Sequence, residues 1–83
     1  MITCKAHDYL EIACMYRLRV RLYMLNGDLI EGLALDTTRT VDNQEAILLE
    51  RDHDPIKIAL IGIESMESIT HNSYFSKVDI SRV

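Results

Sequence analysis

No run of apolar residues in this 83-residue chain approaches the roughly 20 needed to cross a bilayer as a helix. The opening stretch MITCKAHDYL also lacks the basic-then-apolar pattern of an export signal. These absences predict a cytoplasmic protein with no membrane partner. Cysteine is scarce, with two residues, and in a reducing compartment Cys4 and Cys14 are expected to be thiols and not a bridge. There is no glycine-rich phosphate loop, no G-x-S-x-G elbow and no H-E-x-x-H pair. A chain this short also has little volume for a deep pocket, so a non-enzyme without a cofactor is expected. Positive charge is in deficit: the net charge is −4 and the pI about 5.2, which weakens the general attraction to phosphate on which nucleic-acid binders rely.

Apolar residues make up 48% of the chain, enough for one small core, and residues 1–83 are read as a single domain. Asp8 followed by Glu11 reads as a helix N-cap with its reciprocal acid, and Leu10, Ala13 and Cys14 form an apolar stripe, so a short helix near 8 to 15 is expected. The period then changes. Leu18, Val20, Leu22 and Met24 alternate with Arg17, Arg19, Arg21 and Tyr23, the signature of a strand with one buried and one wet face. Asn26-Gly27 supplies a positive-φ hairpin turn. In the return strand DLIEGLALD, Gly32 marks a bulge or sharp bend by which a small sheet curls. EAILLER reads as a third strand, DHDP as a turn, IKIALIGI as a fourth strand and MESIT as the start of a fifth. The last stretch, HNSYFSKVDISRV, reads as an edge strand or a frayed tail. One helix followed by about five short strands suggests a small barrel.

The stretch CKAHDYLEIAC holds two cysteines, one histidine and two carboxylates within eleven positions. As a zinc site it offers Cys4, His7 and Cys14, with no second ligand pair downstream, where a structural site wants four ligands. A Cys4–His7 nucleophile pair needs the base in hydrogen-bond reach and a third group to orient it, and proximity in sequence supplies neither. Cys14 on the apolar stripe is a small hydrophobe. Asp8 and Glu11 have two readings. They cap the helix and complement its dipole, or they form an acidic edge offered to a basic partner.

Arg17, Arg19 and Arg21 carry a similar choice between an RNA-tracking strand face and a solvated face balanced by cross-strand acids such as Glu31 or Asp28. Tyr9 and Tyr16 flank the helix, either as interface anchors or half-buried against the barrel. The acidic ERDHDP loop is a wet turn or a second negative patch.

Two resemblances cover the chain. VRLYMLNGDLIEGLALD resembles the first half of an Sm-like signature, carried by Val20, Leu22, Gly27, Gly32, Leu35 and Asp36. That resemblance implies a mainly β fold, a strongly bent open Sm-like (Hfq-like) barrel of about five strands with one N-terminal α-helix. The region KIALIGIESMES has nothing like the basic, glycine-containing second motif of Sm and Hfq RNA binders. CKAHDYLEIAC, followed by the alternating strand, the NG-D turn and IGIESMES, is more closely similar to the Rho-binding antiterminators of the Rof (YaeO) type over most of residues 2 to 71. Cys4, Asp8, Leu10, Glu11, Ala13 and Cys14 are its most specific positions.

The second resemblance implies a monomeric bacterial protein whose N-terminal helix region docks on the RNA-binding N-terminal domain of the transcription terminator Rho. Docking there would keep transcripts off Rho's primary site. Carried over by position, the partner-binding residues are Asp8 and Glu11, with Lys5, His7 and Tyr9 beside them. Lys5 stands where a relative has an acid, which would thin the negative surface. No metal, cofactor or direct nucleic-acid contact is implied.

Overall fold

The computed structural model of the chain describes residues 4–80. It opens on one helix, α1 (Cys4–Met15), and continues into six strands: β1 (Arg19–Met24), β2 (Leu29–Arg39), β3 (Glu45–Arg51), β4 (Asp54–Ala59), β5 (Ile63–Ser68) and β6 (Lys77–Asp79). All neighbours in the sheet are antiparallel, in the order β4-β3-β2-β1-β5-β6, and the sheet is not closed. The expected mainly β domain with one N-terminal helix is therefore what the chain forms. Six strands stand where about five were expected, because the tail adds the short β6 to the outer edge of β5.

The helix starts a turn earlier than the acids suggested. Ala6, Leu10, Ala13 and Cys14 lie at i, i+4, i+7 and i+8 and are all buried, so the apolar stripe recruits the segment before Asp8. Asp8 consequently sits in the second turn and is not the N-cap. The C-terminal end is set by a Schellman motif, in which the Leu18 N–H donates to Ala13 O at 2.9 Å and the Arg17 N–H to Cys14 O at 3.3 Å. Arg17 occupies the left-handed position at φ 52°, where glycine is the usual residue. The same geometry carries Leu18, 4% exposed, back into the core at the start of β1.

The sheet bends because β2 changes partner midway. Residues 29–33 of β2 pair with β1 and residues 33–39 pair with β3, with a register shift between Ala34 and Asp36. At Gly32 a Cβ would lie 2.8 Å from Glu50 O, so only glycine lets β3 cross so closely. The β1–β2 hairpin closes through Gly27 N–H to Met24 O (3.0 Å) and Met24 N–H to Asp28 O (2.9 Å), with positive φ at Gly27 alone. That is a three-residue loop ending in a left-handed glycine, not a two-residue turn. The β3–β4 turn is the tighter one: Asp52 and His53, both at positive φ, join the Arg51–Asp54 pair. The run IKIALIGI is not one strand, because after Ala59 the chain takes a single 3-10 turn, Leu60–Gly62, which buries Leu60 and opens β5 at Ile63. Inside the bent sheet, Val20, Leu22, Ala34, Ile47, Leu49, Ile63, Met66 and Ile80 pack beneath α1.

Candidate functional site

The helix divides the residues of CKAHDYLEIAC among three surroundings. With Ala6, Leu10, Ala13 and Cys14 facing the core, Asp8 and Glu11 point to solvent one turn apart, the spacing at which helix side chains are neighbours. Among the described residues neither carboxylate has a hydrogen-bond or ion-pair partner. His7 turns toward the sheet, its Nε2 lying 3.3 Å from Glu45 Oε2 at the start of β3. Tyr9 is half-buried on the opposite flank, edge-on to Phe75 with ring centres 5.5 Å apart. Lys5 is exposed one turn before Tyr9. The structure thus places Asp8 and Glu11 together on the outer face and sends His7 and Tyr9 to its two sides.

Two open clefts border the helix where it passes β2. One, of about 320 Å³, is lined by His7, Glu11, Thr37, Thr38, Arg39 and Glu45 among others. The second, of about 440 Å³, runs on from it past Glu11, Cys14, Met15, Arg17 and Asp36. Burial pushes the Cys14 thiol up to about 11, with Asp36 and Glu11 adding to the shift and Arg17 opposing it. A buried thiol held protonated in this way is a poor nucleophile at neutral pH. The Cys4 side chain lies outside the described residues. Among the described residues no group of three or more histidine, cysteine, aspartate or glutamate side chains is arranged to hold a metal ion.

The three arginines do not share one strand face. Arg17 lies before β1, and its guanidinium donates to Leu35 O. Arg21 is engaged on both sides, 3.2 Å from Glu31 Oε2 and 3.3 Å from Glu67 Oε1. Tyr23 donates its hydroxyl to the same Glu67 oxygen at 2.6 Å, and Lys77 Nζ sits 4.3 Å from the centre of the Tyr23 ring. Glu31 is the cross-strand acid that the alternation suggested. Asp28 instead accepts from Asn26 within the hairpin turn. Only Arg19 of the three has an exposed side chain without a partner among the described residues.

Of the two sequence readings of the tail, an edge strand or a frayed end, the structure forms the edge strand β6, and the stretch before it is stitched to the helix. Tyr74 stacks on Tyr16 with ring centres 4.9 Å apart, an interplanar angle of 17° and a 2.9 Å hydrogen bond between the hydroxyls. Phe75 meets Tyr9, and Ile80 is fully buried. The available signal was two aromatics in an otherwise polar stretch, followed by Val78 and Ile80 at strand spacing.

A helix seated on an open, bent sheet with a returning tail can be compared with known proteins. The family model for the modulators of Rho-dependent transcription termination, ROF, matches residues 1–80. The chain belongs to the Rof family. Its fold is also similar to that of YaeO from Vibrio cholerae O395, solved bound to magnesium, with a TM-score of 0.84 and 32% identity over 89% of this chain and 96% of that one. No curated protein sequence matches. As a Rof-family chain this is a modulator of Rho-dependent termination, and the surfaces that α1 and the sheet present are candidates for that work.

Proposed function

We propose that this chain inhibits Rho-dependent termination by docking the outer face of α1 on the RNA-binding N-terminal domain of Rho, excluding the transcript from the primary site. The observation that carries the reading is the pair of exposed, unpaired carboxylates, Asp8 and Glu11, on a helix fixed to the core by Leu10 and Ala13. A site that holds RNA must offer cationic donors to phosphates, and carboxylates can take the same donors in charge-assisted hydrogen bonds. Because both acids stand on a helix packed on the core and have no partner to give up among the described residues, little of their attraction is spent on rearrangement. Lys5 and Tyr9 flank the contact on one side and His7, turned toward Glu45, on the other.

Action is by occupancy, with no catalysis and no cofactor, in the bacterial cytoplasm where transcripts are made. The protein acts as a monomeric single domain. Supporting that state, β6 covers the outer edge of β5, and the free edge of β4 carries Pro55 and Lys57, residues that discourage strand addition.

The test is displacement of RNA or oligo-dC from purified Rho. Wild-type protein should release the nucleic acid, less efficiently as salt rises, because exposed charges are screened over about 8 Å at physiological ionic strength. The Asp8→Ala/Glu11→Ala variant, folded as wild type, should fail to do so. Wild-type protein that leaves the nucleic acid bound at low salt overturns the proposal.

A further inference from the structure

Two rim carboxylates are a thin basis for a specific complex, since an exposed ion pair adds little to affinity. A surface that binds tightly needs a buried centre, and the residues that supply one are typically aromatic or arginine. An apolar surface adjoins the acids, with Met15 on their face of the helix and Tyr16 toward the Tyr9 flank. Met15, 70% exposed, stands one turn beyond Glu11, and Tyr16, 50% exposed, completes the ridge Asp8, Ile12, Tyr16 at i, i+4 and i+8. The Tyr16 N–H still donates to Ile12 O at 3.1 Å, so helical geometry holds to the end of that ridge. At 1.5 Å per residue, about 12 Å separates Asp8 from Tyr16 along the axis, well within one docking footprint. Tyr16 does not stand alone, because Tyr74, 47% exposed, is stacked on it and hydrogen-bonded through the hydroxyl.

We infer that the docking surface has two parts. The carboxylates of Asp8 and Glu11 take the place of RNA phosphates, and Met15 with the stacked Tyr16–Tyr74 pair takes the place of bases, pressing on the shelves where the partner's nucleic-acid site stacks them. The inference rests on the reading that this helix face meets the RNA-binding surface of Rho, and it names the part of that contact that resists salt. Single-stranded nucleic acid is held by a combination of cationic grooves and base-stacking surfaces. A competitor that offers charge alone would engage half of such a site. The tyrosine pair is ordered before binding by its own stacking and hydroxyl bond, so fixing it costs little further entropy.

The experiment measures binding of the full chain to purified Rho across a salt series, with each variant checked for wild-type thermal unfolding. Met15→Ser removes an exposed apolar side chain without touching the core. Tyr16→Ala removes the ring that carries the stack. Tyr16→Phe and Tyr74→Phe keep the rings and lose the hydroxyl bond. Met15→Ser and Tyr16→Ala should each weaken binding by about tenfold, the scale of an interface hot spot, and leave the salt dependence unchanged. The phenylalanine variants should bind within about threefold of wild type, and Asp8→Ala/Glu11→Ala should flatten the salt dependence. Wild-type binding with Met15→Ser and Tyr16→Ala indistinguishable from it overturns the two-part surface and leaves the acidic contact standing. Failure of the wild type to bind Rho removes both. Tight binding of RNA by this chain alone, lost in Tyr16→Ala, would mean that the tyrosines stack bases themselves and would also overturn the inference.

Discussion

The outer face of the sheet and the outer face of α1 both carry charge, and they spend it differently. On the sheet, Arg21 is shared between Glu31 and Glu67, Tyr23 donates to Glu67, and Lys77 covers the Tyr23 ring. Every member has a neighbour in the chain, so a ligand would have to displace those partners first. On the helix, Asp8 and Glu11 have none among the described residues and are available to an outside cation. The sequence left two readings open for the arginines and two for the acids. The structure closes Arg21 and leaves Arg19, Asp8 and Glu11 without side-chain partners among the described residues, because acids across the strands reach Arg21 and none reaches the outer helix face.

The largest effect should come from beneath the open surface. Leu10→Ala empties a fully buried position under α1 and should cost about 3 kcal/mol in urea unfolding, loosening the helix together with its acids. A second effect lies under the same helix, at Cys14. Its thiol titrates near 11 in the folded state against 9.0 when free. The folded chain therefore binds the proton more tightly, and stability that is complete below pH 9.0 should be lost as pH rises toward 11. Thermal unfolding across that window should show the decline in wild type and a shallower one in Cys14→Ala, where the Tyr74 hydroxyl, also raised by its bond to Tyr16, still titrates.

Breaking the closed surface should matter less. Glu67→Ala leaves Arg21 with Glu31 alone, removes the acceptor of the Tyr23 hydroxyl and should cost about 1 kcal/mol, read by urea unfolding, with Rho binding unchanged. Arg17→Gly should go the other way and stabilise by about 0.5 kcal/mol, since glycine adopts the left-handed position at φ 52° without steric cost. The smallest change in stability belongs to Asp8→Ala/Glu11→Ala, expected within about 0.5 kcal/mol of wild type because the carboxylates do not cap the helix and pair with nothing among the described residues. If that variant unfolds far more easily, the acids serve the fold and the contrast between open and closed charge fails.

Much of the architecture was legible because it depends on period and on glycine. The alternation through Leu18, Val20 and Leu22 located β1 and its buried face, and Gly32 marked the place where β3 passes against the backbone of β2. The stripe Leu10, Ala13, Cys14 located the helix and its inner face. The helix start was misplaced because capping chemistry at Asp8 and burial at Ala6 pointed to different first turns, and burial prevailed. The break in IKIALIGI was hidden for a related reason. The corner and the strands on either side of it are all apolar, and only the 3-10 turn of the backbone at Leu60–Gly62 separates β4 from β5.

What the sequence by itself determined is the class of fold, the inner face of each main element and the presence of two acids on one helix, since these follow from periodicities of 3.6 and 2 residues. Tertiary structure alone decided which charges are free. Arg21 is closed by acids 10 and 46 residues away, and Tyr16 is paired with a tyrosine 58 residues away. The hairpin's alternation already pointed to Glu31, but the contacts spanning 46 and 58 residues are made by the register of the sheet and the return of the tail, and no local pattern in the sequence encodes them.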